Sequence, residues 1–211
     1  MPAPGGSVIT AVRWKNALRI KTGSSIWNSR YSSFLPETYA SKITKVELND
    51  RYLIRISSYC FYGSNYANSF SNLTEVKDVA STVTTIGAYA FYACKNLTSV
   101  SFPRSTSIGA SAFYQCYNLT SISIPRVTFI DSSAFWNCPN LTSVSFPNAT
   151  TIDAWAFAHC YGLTTALFPN VTSIGSYAFY SCSRLTNIYI LGSSIPTLVA
   201  SNAFTGCSST Y

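Results

Sequence analysis

Asp131 and Asp153 stand one 22-residue step apart. A chain coiling with that period would hold their carboxylates about 5 Å from each other. At that separation one carboxyl group can protonate a glycosidic oxygen while the other attacks. The equivalent positions elsewhere are Ser57, Gly87, Gly109 and Gly175, all residue types that tolerate a helix N-cap. Asp or Ser at a cap accepts hydrogen bonds from the free N–H groups of a first turn, so capping accounts for both carboxylates without catalysis. The seven cysteines are the second candidate chemistry. Cys94, Cys116, Cys138, Cys160 and Cys182 recur at one position, Cys207 follows 25 residues after Cys182, and Cys60 stands where other repeats place the alanine before phenylalanine. Free cysteine often serves as a small apolar side chain at a fixed inward position, which predicts a ladder of buried thiols. His159 is the only histidine and no Cys-x-x-Cys pair occurs, so neither a metal site nor a cofactor is expected. No nucleophile with its base and no glycine-rich phosphate loop can be assembled. The expectation is a protein without catalytic residues, not an enzyme.

The elements that would position these residues follow from the repeat. Ala-Phe recurs at Phe91, Phe113, Phe135, Phe157 and Phe179, and leucine at Leu97, Leu119, Leu141, Leu163 and Leu185, each step 22 residues. Within 108–129, apolar residues fall at Ile108, Ala112, Phe113, Cys116 and Leu119, the spacing of about two helical turns. From Leu119 the pattern becomes Leu-x-x-Ile-x-Ile, a short strand with Ile122 and Ile124 inward, and Pro125 ends it. A period of 20–29 residues carrying a short strand reads as a leucine-rich-repeat solenoid. The predicted fold is therefore an α/β solenoid, a right-handed coil with a parallel strand ladder and short helical or 3-10 segments. It has about seven coils, most of them 22 residues long. The array spans 43–211, with an insertion at about 63–70 and a C-terminal coil that is incomplete after 203–207. An array edge left open exposes unpaired backbone, so more chain or another molecule is expected to cover that coil. Residues 1–42 do not repeat. Strand-like alternation at 12–15 and 17–21, with a turn at 22–25, predicts a β-rich N-terminal cap.

Composition narrows the function classes. With 47% apolar and only 10% charged residues, the chain is not disordered. No run of 18 apolar residues occurs, so membrane insertion is not expected. The opening Met-Pro-Ala-Pro-Gly-Gly-Ser has no basic and apolar leader pattern, so export would depend on sequence outside it. Residues 1–55 carry nine Lys/Arg against three acids, while residues 56–211 carry five against four. A nucleic-acid-binding array would bear basic residues on successive repeats. This one does not.

The motif Ile-Gly-x-x-Ala-Phe-x-x-Cys-x-x-Leu-Thr-Ser-Val-x-Phe-Pro, repeated over about 43–207, resembles the BspA-like leucine-rich-repeat family. That resemblance implies a bacterial or protist protein, secreted or exposed at the cell surface, that adheres to host proteins or neighbouring cells. Similar repeats also occur in long modular and phage-associated proteins. The expected function is a non-catalytic recognition module for a cell-surface protein or glycan. The alternative is a structural spacer or self-assembling display module, including a phage tail-associated one.

Two surfaces could carry recognition. The outward strand face bears Ser99 and Ser101, Ser121 and Ser123, then Ser143 and Ser145, with Arg104 and Arg126 just beyond the strands as a small anion-attracting pair. Small hydroxyls leave room for a partner on a concave face, or they merely keep an exposed sheet soluble. The helical face bears Tyr89, Tyr92, Tyr114, Trp136, Trp155, Tyr177 and Tyr180. Aromatic side chains give contact area at small entropy cost and could stack on sugars or grip a protein. Alternatively, each ring lies on the neighbouring coil and shields it.

Overall fold

The structure is a computed structural model and describes residues 7–10, 43–48, 53–63, 70–190 and 198–208. Its strands fall into two ladders. The first holds β1 (Ser7–Thr10), β2 (Ile43–Leu48), β4 (Glu75–Asp78), β6 (Ser99–Ser101), β8 (Ser121–Ser123), β10 (Ser143–Ser145), β12 (Thr165–Leu167) and β14 (Asn187–Tyr189). The second holds β3 (Arg55–Ile56), β5 (Thr85–Ile86), β7 (Ser107–Ile108), β9 (Phe129–Ile130), β11 (Thr151–Ile152), β13 (Ser173–Ile174) and β15 (Leu198–Val199). All pairings are parallel, and apart from a register shift between Ser7 and Val8 of β1 they run in register, as in Val100↔Ile122 and Ile86↔Ile108. Each coil contributes one strand to each ladder, and about five coils keep the 22-residue step. The outer units are described only in part, so the expected total of seven coils is not established. Of the expected N-terminal cap, β1 pairs with β2. The strands predicted at 12–15 and 17–21 and the turn at 22–25 lie outside the described residues, as does most of the insertion near 63–70.

The expected helical segment is corrected: no helix occurs among the described residues, and the fold is a parallel β-solenoid, not α/β. The apolar spacing is real, but the backbone satisfies it differently. In five successive coils two residues four apart take positive φ, as at Ser111 (53°) with Gln115 (56°) and Ser133 (55°) with Asn137 (56°). Successive N–H groups then alternate. Ala112 donates to Gly109 within the coil, whereas Phe113 donates to Ala134 of the next coil at 2.7 Å. A helix would spend every N–H on its own carbonyls. Here half of them tie one coil to the next.

The core is a set of columns. Phe61, Phe91, Phe113, Phe135, Phe157, Phe179 and Phe204 stack face to face with centroids 5.0–5.3 Å apart. Two threonine columns sit at the loop-to-strand junctions. Thr120 Oγ1 donates to the Thr98 carbonyl and Thr128 Oγ1 to that of Thr106, one coil back in each case. Asn140 Nδ2 likewise donates to Asn118 Oδ1 at 3.3 Å. That column stops at Gly162, where a Cβ would meet the Pro139 carbonyl oxygen at 2.2 Å. Among the described residues the first ladder is interrupted between β8 and β10, while the second continues unbroken past it. The interruption falls where Ile124 occupies the core position that Phe102, Phe146 and Phe168 take in other coils. Ile122, expected inward, is only half-buried there.

Candidate functional site

The two aspartates follow paired strand ends, since Ile130 and Ile152 are in register. Asp131 Oδ1 accepts from the Ser132 N–H at 2.7 Å and Asp153 Oδ1 from the Ala154 N–H at 2.6 Å. With no helix present, the N-cap reading is corrected to a local turn bond. The role of satisfying a nearby N–H remains. The thiols form the expected ladder. Cys116, Cys138 and Cys160 each donate Sγ–H to a phenylalanine carbonyl of the preceding coil at 3.2 Å. Burial pushes the Cys116 and Cys138 thiols up, and even half-exposed Cys207 is raised to about 11. A thiol held protonated is a poor nucleophile and a poor metal ligand. Sequence reading placed these side chains inward but gave no sign of their bonds to the carbonyls.

The aromatic face is organised as two rows. The outer row position reads Tyr59, Tyr89, Ser111, Ser133, Trp155, Tyr177, every one of them at positive φ. The inner row reads Tyr62, Tyr92, Tyr114, Trp136, His159 and Tyr180. Tyr92 stacks on Tyr114 at 4.7 Å and Tyr114 on Trp136 at 4.4 Å, both nearly parallel. His159 meets Trp136 and Tyr180 edge-on, and its Nδ1 lies 2.8 Å from the Tyr161 hydroxyl. Partial burial raises the phenols of Tyr92 and Tyr114, with neighbouring tyrosines adding to it. The inner row therefore hides most ring faces against neighbouring coils and offers a partner only ring edges and hydroxyls. Tyr59, Tyr62 and His159 belong to these rows and were not among the sequence candidates. Reading each repeat position down the coils exposes the two tyrosines, but not His159, because the inner-row position in that coil is Ala158 and the ring comes from the next residue.

The serine face is where the alternation placed it: Ser121, Ser123, Ser143 and Ser145 are exposed, and Ser99 and Ser101 half-buried. It is not one continuous ladder. Ser99 pairs with Ser121 and Ser101 with Ser123, but Ser143 and Ser145 pair with Thr165 and Leu167 beyond the interruption. Upstream, Lys45 and Lys77 both contact Glu75, and the Lys77 contact chiefly holds that carboxyl low. Arg104 and Arg126 are exposed just past β6 and β8. Their later equivalents, Asn148 and Asn170, instead donate to the carbonyls of Pro125 and Pro147 at 2.8 and 2.7 Å. No helix among the described residues is long and apolar enough to cross a membrane.

The comparisons agree with this architecture. The family model for the BspA type leucine rich repeat region matches in six copies, over residues 20–83, 35–126 and 84–211. No curated protein matches the chain. A leucine-rich repeat protein from Eubacterium ventriosum ATCC 27560 is 27% identical with a TM-score of 0.64, over 80% of this chain and 44% of its own. The chain thus spans less than half of that relative. The leucine rich repeat protein TpLRR of T. pallidum shares the fold at a TM-score of 0.63 and 24% identity, over 71% of this chain and 70% of its own. Repeat spacing, stacked parallel coils and a family match reaching from residue 20 to 211 lead to one assignment. The chain belongs to the BspA-type leucine-rich-repeat family.

Proposed function

We propose that this chain is a non-catalytic recognition module that binds a protein or glycan outside the cell, at a cell surface. The observation that carries the reading is the outer aromatic row. Five successive coils hold one backbone conformation there, yet the side chains vary from Tyr89 through Ser111 and Ser133 to Trp155 and Tyr177. The core columns beneath are nearly invariant. A scaffold that fixes the backbone and varies the outward group suits recognition by several coils at once. The family's general use as an interaction scaffold supports the same reading. The test is an array of glycans and extracellular proteins probed with the whole chain. Capture of at least one ligand that weakens in Trp155→Ala or Tyr89→Ala is expected. Binding that ignores both changes moves the site to the serine face, and absence of capture on either array overturns recognition.

Self-assembly as a display module is the second reading. Tyr189 on β14 and Val199 on β15 are exposed at 46% and 41%, on the outermost described strands of the two ladders. Light scattering separates the readings, because a strictly monomeric chain with a ligand excludes assembly through these strands.

A further inference from the structure

We infer that the outer aromatic row contains a saccharide-binding notch between Tyr89 and Trp155, lined at its base by Ser111 and Ser133. This rests on the recognition reading above and gives it a ligand class. Tyr89 stacks one face on Tyr59 at 4.9 Å, and Trp155 stacks one face on Tyr177 at 4.4 Å. The opposite faces look toward each other along the coil axis, and no aromatic ring among the described residues covers either. The four positions from 89 to 155 share positive φ between 53° and 60°, so their side chains leave the backbone in parallel. Serine at 111 and 133 therefore omits two rings from an otherwise repeating row. Three inter-coil steps of about 4.8 Å set the two open faces about 14 Å apart, room for two ring-thick groups.

The chemistry of the lining selects the occupant. The electron-rich face of an aromatic ring attracts the polarised C–H edge of a bound group. The stacked pair Tyr114 and Trp136 lies beside the notch in the inner row. The hydroxyls of Ser111 and Ser133 make no hydrogen bond among the described residues, although Ser111 is 9% exposed. Two unpaired hydroxyls at the base favour a ligand that carries hydroxyls itself. In the two gap coils, 109–115 and 131–137, Asp131 is the only charged side chain, and one of its oxygens is already held by the Ser132 N–H. A neutral sugar fits these terms, with one pyranose ring on each open face and its hydroxyls toward the serines. Neither a phosphate nor an acidic peptide finds a cation there.

The experiment titrates the whole isotope-labelled chain with neutral linear and branched oligosaccharides of glucose, galactose and N-acetylglucosamine. The Trp155 indole N–H signal is followed throughout. At least one oligosaccharide should move that signal, and Trp155→Ala should weaken binding about tenfold or more. The deciding variant is Ser111→Tyr with Ser133→Tyr, which completes the row and removes no ring. Its circular dichroism should match the parent and its sugar binding should vanish. No response to any of the sugars, or binding undiminished by the two tyrosines, overturns the notch. Protein capture that survives the two tyrosines leaves recognition standing while the notch falls. Silence toward both sugars and proteins ends both readings.

Discussion

At the scale of single residues, the least expected side chain is Asp78. It stands five residues after Leu73, as Phe102 stands after Leu97, so a carboxyl group occupies a position that phenylalanine or isoleucine fills in the later coils. The loop after it is two residues longer than its later counterparts, and Asp78 Oδ2 closes that loop by accepting from the Val83 N–H at 2.9 Å. Its Oδ1 is buried without a partner. Burial raises the carboxyl above its ordinary value, and the N–H groups of Val83, Thr82 and Ser81 offset only part of that. The folded chain then keeps the proton to a higher pH than the unfolded chain, whose Asp titrates near 3.9. Such a group contributes fully below the unfolded value, and its contribution is lost as pH rises through the raised folded value. Asp78→Asn keeps an oxygen for Val83 and cannot ionise. Its melting temperature should exceed the parent's at pH 7, with the gap closing at pH 3. A gap that does not change between those pH values refutes the burial argument. The cysteines contrast with this residue, because their period and apolar character marked them as inward, whereas a carboxylate at Asp78 gave no sign that it fills a core position.

Among the elements, strands were readable and turns were not. Leu-x-x-Ile-x-Ile has the two-residue period of a half-buried strand, and β8 lies where that pattern put it. Two-residue strands such as β7 are too short to leave a period, so the second ladder was invisible in the sequence. The segment between was misread because apolar side chains spaced as Ile108, Ala112, Phe113 and Cys116 face one way on a helix and equally on a chain of tight turns. Glycine or asparagine would normally flag left-handed backbone. Here Tyr, Ser, Trp, Gln and His occupy most such positions, held by inter-coil bonds. The interruption between β8 and β10 gives the element-scale prediction. In other coils the junction threonine donates to the coil before, as Thr164 does to the Thr142 carbonyl at 2.8 Å, and the core phenylalanine donates onward, as Phe146 does to Leu167. The equivalent N–H groups of Thr142 and Ile124 have no such bond among the described residues. Hydrogen exchange at Thr142 and Ile124 should outrun that at Thr164 and Phe146, which lie one coil further on. Equal protection at all four amides would mean the ladder closes in solution.

For the whole molecule, the governing fact is that each coil completes only its neighbours. Phe135 stacks on Phe113 and Phe157 at 5.1 and 5.2 Å, so one ring serves two interfaces. The same count holds for the backbone, because Phe135 donates to Ala156 of the next coil while Ala134 accepts from Phe113 of the previous one. Stability in such an array is close to a sum of unit and interface terms. Phe135→Ala should cost about 3–5 kcal/mol, the usual range for emptying a buried aromatic site. Phe204 stacks on Phe179 but is only partly buried, unlike Phe135 in the middle of the column. Phe204→Ala should therefore cost less than half as much. The shape of the transition carries the stronger test. Weakening two adjacent interfaces in the middle of a linear array should let the flanking coils separate, so urea unfolding of Phe135→Ala should broaden and lose slope. Phe204→Ala should keep the parent's slope with a slightly lower midpoint. A parent-like slope in both variants would show that the coils unfold as one unit, and nearest-neighbour stacking would then not be what sets the cooperativity of this solenoid.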